Sequence, residues 1–384
     1  MSRERGFALL AVMLVLALLG IVVGEFAFSM RLEASMVRSF KEGILATHLA
    51  EAGIHQAIRE ILSRGQVQAL DETGQLRFYR TAPGQTILTA VPPLPRTRVP
   101  LGPGEFSYRV TDEDSRVNLN TARPDRVDRL LEALGLEKQQ RDVINDSLQD
   151  WKDANDVFRA NGAESEDTYL KLPVPYRARN GLLQDVAELL QIKGVTQEIY
   201  FGTHGGLGLV DLVTVRGRNI VNLNTASAPV LQAVGLSEAE ITDVLQTRVR
   251  TPYASVPGRF GGRGLGVGST TFRIEAEGHV AGKPRARLIT IVRVAAGTRV
   301  ATRAPATQSP SARPEEPAGP TRPATRPPAA RSPGVRPDTR RGDLASPPVG
   351  EQEEPTATPT IASAGVVILS WRSQLEVGLP GRPR

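Results

Sequence analysis

Residues 3–24 read RERGFALLAVMLVLALLGIVVG, with Arg3 and Arg5 ahead of an apolar run from Phe7 to Gly24. No other stretch constrains the fold as strongly. The run of about 18 residues approaches the roughly 20 that a helix needs to cross a bilayer. A cleaved secretory signal would be shorter and would end in a small-x-small site, and none follows here. The chain continues without proline as far as Gly65. Apolar residues recur at helical spacing: Ile44, Leu45, Leu49, Ala52, Ile58, Ile61 and Leu62. Gly43 and Gly53 weaken this pattern without ending it. One helix over 7–65 is predicted, about 58 residues and on the order of 87 Å long. Its first third belongs in lipid, and the rest offers an amphipathic stripe to protein. The arginines precede the apolar run, so they stay in the cytoplasm and the bulk of the chain is exported.

Charge and composition narrow the remainder. The 384 residues contain no cysteine, which excludes disulfides and thiolate chemistry. The net charge is +6, but residues 299–348 alone hold nine arginines against four acids. The basic excess therefore sits in a Pro/Arg-rich tail, expected to be disordered over 298–384 because it has little to bury. One apolar stretch, TIASAGVVILSW (360–371), stands out within it. The four histidines are scattered, with no serine–histidine–acid grouping and no phosphate loop, so a non-catalytic protein is expected.

Between helix and tail lies the folded part, 66–297. Alternating runs mark strands at 75–80, 86–90, 104–113, 270–280 and 285–294. The middle reads as helical. The predicted fold class is α+β: a long N-terminal helix packed on an antiparallel sheet, with 66–117 and 251–297 forming the sheet body and 118–250 an all-helical insertion. The insertion repeats itself. V-N-L-N-T-A occurs at 117–122 and at 221–226, followed each time by a helix, a turn at Gly135 or Gly235, and a second helix. The Asn and Thr suit helix caps. A weaker third copy turns at Gly194. Such helix-turn-helix repeats are similar to helix-hairpin-helix modules, some of which bind DNA. Here the second turn is followed by Glu238, Glu240 and Asp243, which would repel phosphate, so a packing role is favoured and no nucleic-acid partner is expected.

The segment 148–183 is dense in oxygen ligands: Asp150, Asp153, Asn155, Asp156, Glu164, Glu166 and Asp167. Calcium takes six to eight oxygens with several carboxylates among them. The spacing is not that of an EF-hand, since Val157 and Phe158 fall where a ligand and the turn glycine should be. Trp151, Phe158, Tyr169 and Tyr176 interleave with the acids, which marks a folded loop. Repelling carboxylates in a folded loop need a counter-ion, and a metal is expected.

The junction Gly6–Phe7, at the head of the apolar helix, resembles the prepilin peptidase site of type IV pilins and type II secretion pseudopilins. With VNLNTA twice, DW-x-D, NGAE, YRARNG and ELLQIKGVT in this order, residues 1–297 resemble the minor pseudopilin K family of type II secretion (general secretion pathway protein K). The resemblance implies removal of residues 1–6, with Gly6 and Phe7 as the processing pair, and methylation of the new N-terminus. It implies calcium held in the insertion, with Asp153, Asn155, Asp156, Glu164 and Asp167 as candidate ligands. Asn155 stands where the family often has an acid. It further implies an inner-membrane anchor with the bulk of the chain in the periplasm, and a place at the pseudopilus tip beside other minor pseudopilins and the major pseudopilin. Major pseudopilins usually carry Glu at the fifth mature residue; counted from Phe7, that residue here is Ala11. The competing readings are a competence-type, membrane-anchored DNA-binding protein and a minor type IV pilin.

Overall fold

The structure, a computed structural model, describes residues 3–62, 65–81, 87–203, 205–294 and 366–375. Helix α1 (Arg3–Leu62) is uninterrupted. Its N-terminal part carries an 18-residue window of mean hydropathy 2.7, none of it buried against the rest of the chain. Its C-terminal part turns one face inward through Ala46, Leu49, Ala50, Ile54, Ala57, Ile58 and Ile61, spaced three or four apart as a helix stripe requires. The helix starts ahead of the predicted Phe7 and ends before the predicted stop at Gly65. Gly65 has a different role: a Cβ there would stand 1.8 Å from the Tyr79 carbonyl oxygen, so only glycine lets the chain pass that strand.

Three short strands follow, β1 (Val67–Leu70), β2 (Leu76–Thr81) and β3 (Leu88–Ala90), which form their own antiparallel sheet. The sequence suggested one sheet; the structure has this small one beside a larger one. The larger sheet begins with β4 (Val99–Leu101) and β5 (Gly104–Asp112).

The insertion then leaves the sheet. It holds β6 (Val117–Asn118), α2 (Pro124–Ala133), α3 (Lys138–Lys152), α4 (Gln197–Phe201), α5 (Leu209–Leu212), β7 (Val213–Thr214), β8 (Val221–Asn222), α6 (Ala228–Ala233), α7 (Glu238–Arg250) and β9 (Leu265–Gly266). It has its own core around Leu130, Leu148, Trp151, Leu223 and Leu231. The all-helical expectation is corrected here, because β6 pairs in parallel with β7, and β8 with β9. One strand of each pair, β6 or β8, opens a VNLNTA repeat. In each, the first asparagine folds back on the second, with Asn118 Oδ1 accepting from Asn120 N and Asn222 Oδ1 from Asn224 N, both at 3.0 Å. The second asparagine clamps a passing backbone: Asn120 Oδ1 accepts from Leu183 N at 2.9 Å, and Asn224 Oδ1 from Tyr253 N at 2.8 Å. They are strand clamps and not helix caps. The N-caps of α2 and α6 are Arg123 and Ser227, neither with a side-chain bond. Because β8 pairs with β9, the insertion runs to Gly266, past the expected limit at 250.

The chain returns to the large sheet as β10 (Thr271–Val280) and β11 (Lys283–Val294). Ala281 and Gly282 join them with φ of 52° and 75°, the two positive values a type I′ hairpin turn requires. A last strand, β12 (Val366–Leu375), pairs antiparallel with β11, giving the order β12–β11–β10–β5–β4. The expectation of a disordered tail fails at this strand. The physical reason is local: unlike the Pro/Arg-rich sequence before it, VVILSW has apolar side chains to bury, and Val366, Ile368 and Trp371 pack on the core. The rest of 298–384 lies outside the described residues.

Two polar clusters hold these parts together. Glu60 of α1 receives Arg96 Nε at 3.1 Å, Arg96 Nη2 at 2.9 Å and the Tyr108 hydroxyl at 2.9 Å, fixing the helix to the loop before β4 and to β5. At the end of β5, Asp112, Glu113 and Asp114 are all buried. Asp112 Oδ2 accepts from Asn222 Nδ2 at 2.9 Å, Thr225 Oγ1 at 2.5 Å and Ser269 Oγ at 2.6 Å. Asp114 accepts from the backbone N–H groups of Arg218 at 2.9 Å and Thr270 at 2.8 Å. This acidic triplet joins the sheet to the second repeat.

Candidate functional site

The last turn of α3 presents Asp150 and Trp151 to the loop that follows. Asp150 is fully buried and organises that loop: its Oδ2 accepts from the backbone N–H groups of Arg159 and Ala163, each at 3.0 Å. Its approach dictates the next residue. A Cβ on Gly162 would stand 1.8 Å from Asp150 Oδ2, so the glycine of NGAE is a steric requirement of the aspartate of DW-x-D. Arg159 bonds both Asp150 and Asp153, the latter at 2.8 Å.

Aromatic packing closes the other side. Trp151 meets Tyr169 edge-on at 5.4 Å between ring centroids, and Tyr169 stacks on Tyr176 at 5.2 Å. Glu188 gathers further motifs, accepting from Arg179 Nε at 2.5 Å, Trp151 Nε1 at 3.4 Å, and Gln184 N at 2.9 Å. DW-x-D, NGAE, YRARNG and ELLQIKGVT, separate in sequence, thus converge on one site.

Glu164 is the anomaly at its centre. It is 1% exposed, and neither carboxylate oxygen has a hydrogen-bond partner among the described residues. Burial, reinforced by the negative charges of Asp150, Asp153 and Asp156, pushes its carboxyl up to about 7. A buried carboxylate without donors is strongly disfavoured. Asn180 donates to Asp156 Oδ1 at 2.9 Å and leaves its own Oδ1 buried without a partner. Oxygen acceptors that lack donors suit a hard cation.

The five ligands read from the sequence divide here. Asp153, Asp156 and Glu164 share one electrostatic environment. Asn155 is used locally, with Nδ2 donating to Asp153 Oδ1 and Oδ1 accepting from Val157 N, both at 2.9 Å. Asp167 is half-exposed and faces Lys171 at 3.7 Å. Among the described residues no three His, Cys, Asp or Glu side chains converge into a ready metal cage. Arg159 already bridges Asp150 and Asp153. The sequence does not single out Asp150 or Asn180: Asp150 is one of six acids that stand with Asn155 in the segment, and Asn180 carries no signal beyond its motif.

Residues 109–202 match the family model described as type II secretion system protein K. The chain is 31% identical over 278 residues to the type II secretion system protein K of Pectobacterium carotovorum subsp. carotovorum, covering 66% of this chain and 78% of the relative. The chain belongs to the type II secretion system protein K family. The Klebsiella pneumoniae protein K is 28% identical over 275 residues, covering 66% of this chain and 78% of its own length. Among solved structures, the GspK–GspI–GspJ complex from enterotoxigenic Escherichia coli aligns with a TM-score of 0.40 at 21% identity, over 50% of this chain and 76% of the solved one.

Membership of the protein K family makes this chain a minor pseudopilin of type II secretion. The motif-bearing loop lies within the span that the family model matches. Gly6 and Phe7, the expected processing pair, lie in the first turns of α1. At the turns of the two VNLNTA repeats the glycine and leucine amides are bonded within the chain. Gly135 N donates to Glu132 O and Gly235 N to Gln232 O, both at 2.8 Å. Leu136 N and Leu236 N donate to Leu131 O and Leu231 O, both at 3.2 Å.

Proposed function

We propose that this chain occupies the distal tip of the pseudopilus as a single copy and starts its assembly as a non-catalytic subunit. One observation carries the position: the fifth residue from Phe7 is Ala11, where major pseudopilins usually have Glu. That glutamate is thought to meet the N-terminal amine of a neighbouring subunit within the apolar filament core. A buried carboxylate without such a partner is costly, whereas alanine leaves nothing unpaired. A subunit with no neighbour above it has no amine to receive. The insertion supports the same place, since its bulk, from Val117 to Gly266, would clash if stacked repeatedly along a thin filament.

The anchor follows from α1. Prepilin peptidase cuts between Gly6 and Phe7, the new terminus is methylated, and the exposed apolar part of α1 holds the protein in the inner membrane with its folded part in the periplasm. The partners are other minor pseudopilins and the major pseudopilin. The solved Escherichia coli complex joins a protein K to two such subunits.

Calcium belongs to the loop after α3. Glu164, Asp153 and Asp156 would hold it, with Asn180 Oδ1 as a neutral ligand; Asn155 and Asp167 are outside this set. When bound, the ion supplies the positive charge that Glu164 lacks and fixes the loop. Arg159 does part of this work for Asp150 and Asp153, and none of its hydrogen bonds goes to Glu164. Co-purification of the full-length protein with candidate minor pseudopilins tests the tip reading: a stable complex supports it, and failure to bind any of them removes it.

A further inference from the structure

Arg159 brings a positive charge into the acidic loop. One nitrogen of its guanidinium, Nη1, donates to two carboxylates at once, Asp150 Oδ1 and Asp153 Oδ2, the latter at 2.8 Å. The two acids are not held alike. Asp150 is fully buried, and its Oδ2 also receives the backbone N–H groups of Arg159 and Ala163, each at 3.0 Å. Asp153 has only side-chain donors here: Asn155 Nδ2 on Oδ1 at 2.9 Å and Arg159 on Oδ2. Both oxygens of Asp153 therefore already have donors.

Glu164 is in the opposite condition. It is almost as deeply buried as Asp150, and neither of its oxygens has a partner among the described residues. Asp150, Asp153 and Asp156 all lie within electrostatic reach of it. One built-in cation thus serves two of the acids, and the carboxylate most in need of a counter-charge receives none of its hydrogen bonds.

A cation held by Glu164, Asp153 and Asp156 meets Arg159 in two ways. It must share Asp153 with the guanidinium, and it stands beside a like charge, which opposes it by Coulomb repulsion. The arginine side chain is 42% exposed, so the apolar core does not depend on it. The contact on which the buried Asp150 relies most, the Arg159 backbone N–H, belongs to the main chain and survives any change of side chain.

We propose that Arg159 sets the calcium affinity of this loop, holding it down by competing for Asp153, while it keeps Asp150 and Asp153 neutralised in the calcium-free protein. The inference rests on the calcium reading of the loop given above. Its consequence is a loop that is ordered at low calcium by an internal cation and fastened further only when calcium is plentiful.

The test is calorimetric titration of calcium into chelator-treated full-length protein in detergent at pH 8, above the value of about 7 at which Glu164 ionises. Arg159→Gln removes the charge and should bind calcium at least about ten-fold more tightly than the wild type, while its calcium-free melting temperature falls. Arg159→Lys keeps a point charge without the fork and should lie between the two. In an Asp153→Asn background the gain from Arg159→Gln should shrink to about three-fold or less, because the two residues act on one contact. An arginine that merely scaffolds the loop predicts the reverse, weaker binding once it is replaced. Unchanged or weaker binding by Arg159→Gln, with calcium bound by the wild type, overturns the proposal and leaves the calcium reading standing. An undiminished gain in the Asp153→Asn background overturns it too. If Arg159→Gln does not fold without calcium, the lysine variant decides, and binding no tighter than wild type overturns the proposal. Calcium bound by neither wild type nor variants removes the calcium reading and this inference with it.

Discussion

Ala46 of α1 and Gly278 of β10 meet backbone to backbone: a Cβ on Gly278 would stand 1.8 Å from the Ala46 carbonyl oxygen. That contact sets how deeply the helix lies on the sheet. Gly53 on the helix approaches in the same way, its would-be Cβ 3.2 Å from Ala276 and Phe106. Gly278→Ala should therefore push the helix outward, destabilising the protein by about 3 kcal/mol, at the upper end for overpacking because backbone cannot yield as a side chain does. Denaturant unfolding of the full-length protein in detergent measures it, and a loss under about 0.5 kcal/mol would contradict the packing described.

The Glu60–Arg96 pair is buried at both ends, with side-chain exposures of 3% and 9%. Arg96→Ala removes the bidentate arginine partner of the buried Glu60 carboxylate and should lose about 3–5 kcal/mol. Adding Glu60→Gln removes the buried charge and should recover part of that loss. A double variant as unstable as the single one would show that packing, and not charge, dominates the site.

The repeat asparagines should behave as paired clamps. Asn120→Ala and Asn224→Ala each leave backbone groups unpaired, at about 1–3 kcal/mol apiece. Asn224 is fully buried and Asn120 is half-buried, so the second loss should be larger. Hydrogen exchange should show the damage at Leu183 in one variant and at Tyr253 in the other. A cap role would instead loosen the first turns of α2 and α6.

The pH dependence follows from Glu164. Its folded carboxyl is raised to about 7 from an ordinary value of 4.5. Between those values the folded state holds a proton that the unfolded chain has lost, so calcium-free stability should fall as pH rises from about 4.5 to 7. Calcium needs the ionised form, so its stabilising effect should grow over the same window. Melting temperatures with calcium and with chelator, taken from pH 4.5 to 8, check both slopes. Glu164→Gln should flatten the calcium-free slope and abolish the calcium response. A wild-type melting temperature indifferent to chelator at pH 8 would leave Glu164 without its ion.

Much of this fold was legible because its signals are local. The apolar run of α1 and the alternation in β5, β10 and β11 each depend on neighbouring residues. The VNLNTA repeat was visible as a repeat, but its role was not. Asn120 and Asn224 bond backbones 63 and 29 residues away, and nothing local distinguishes such a clamp from a cap. The triplet Asp112–Asp114 reads like a solvated turn, whereas the donors that bury Asp112 and Asp114 include Arg218, Asn222 and Thr270, each more than a hundred positions away. The acidic loop was found from its density of oxygens. Which acids share a site was not, because Arg159 takes two of them, Asn155 serves its own turn, and Asn180 arrives from a separate motif. β12 was hidden by its surroundings, since composition over the whole tail outweighed one apolar stretch.

The tip position is tested most directly by cross-linking mass spectrometry of isolated pseudopili, with this chain quantified against the major pseudopilin. A tip subunit should give cross-links to other minor pseudopilins and none between two of its own copies, and its amount per filament should not change with filament length. Self-cross-links recurring along the shaft, or a copy number that grows in proportion to length, would contradict the assignment of this chain to the tip.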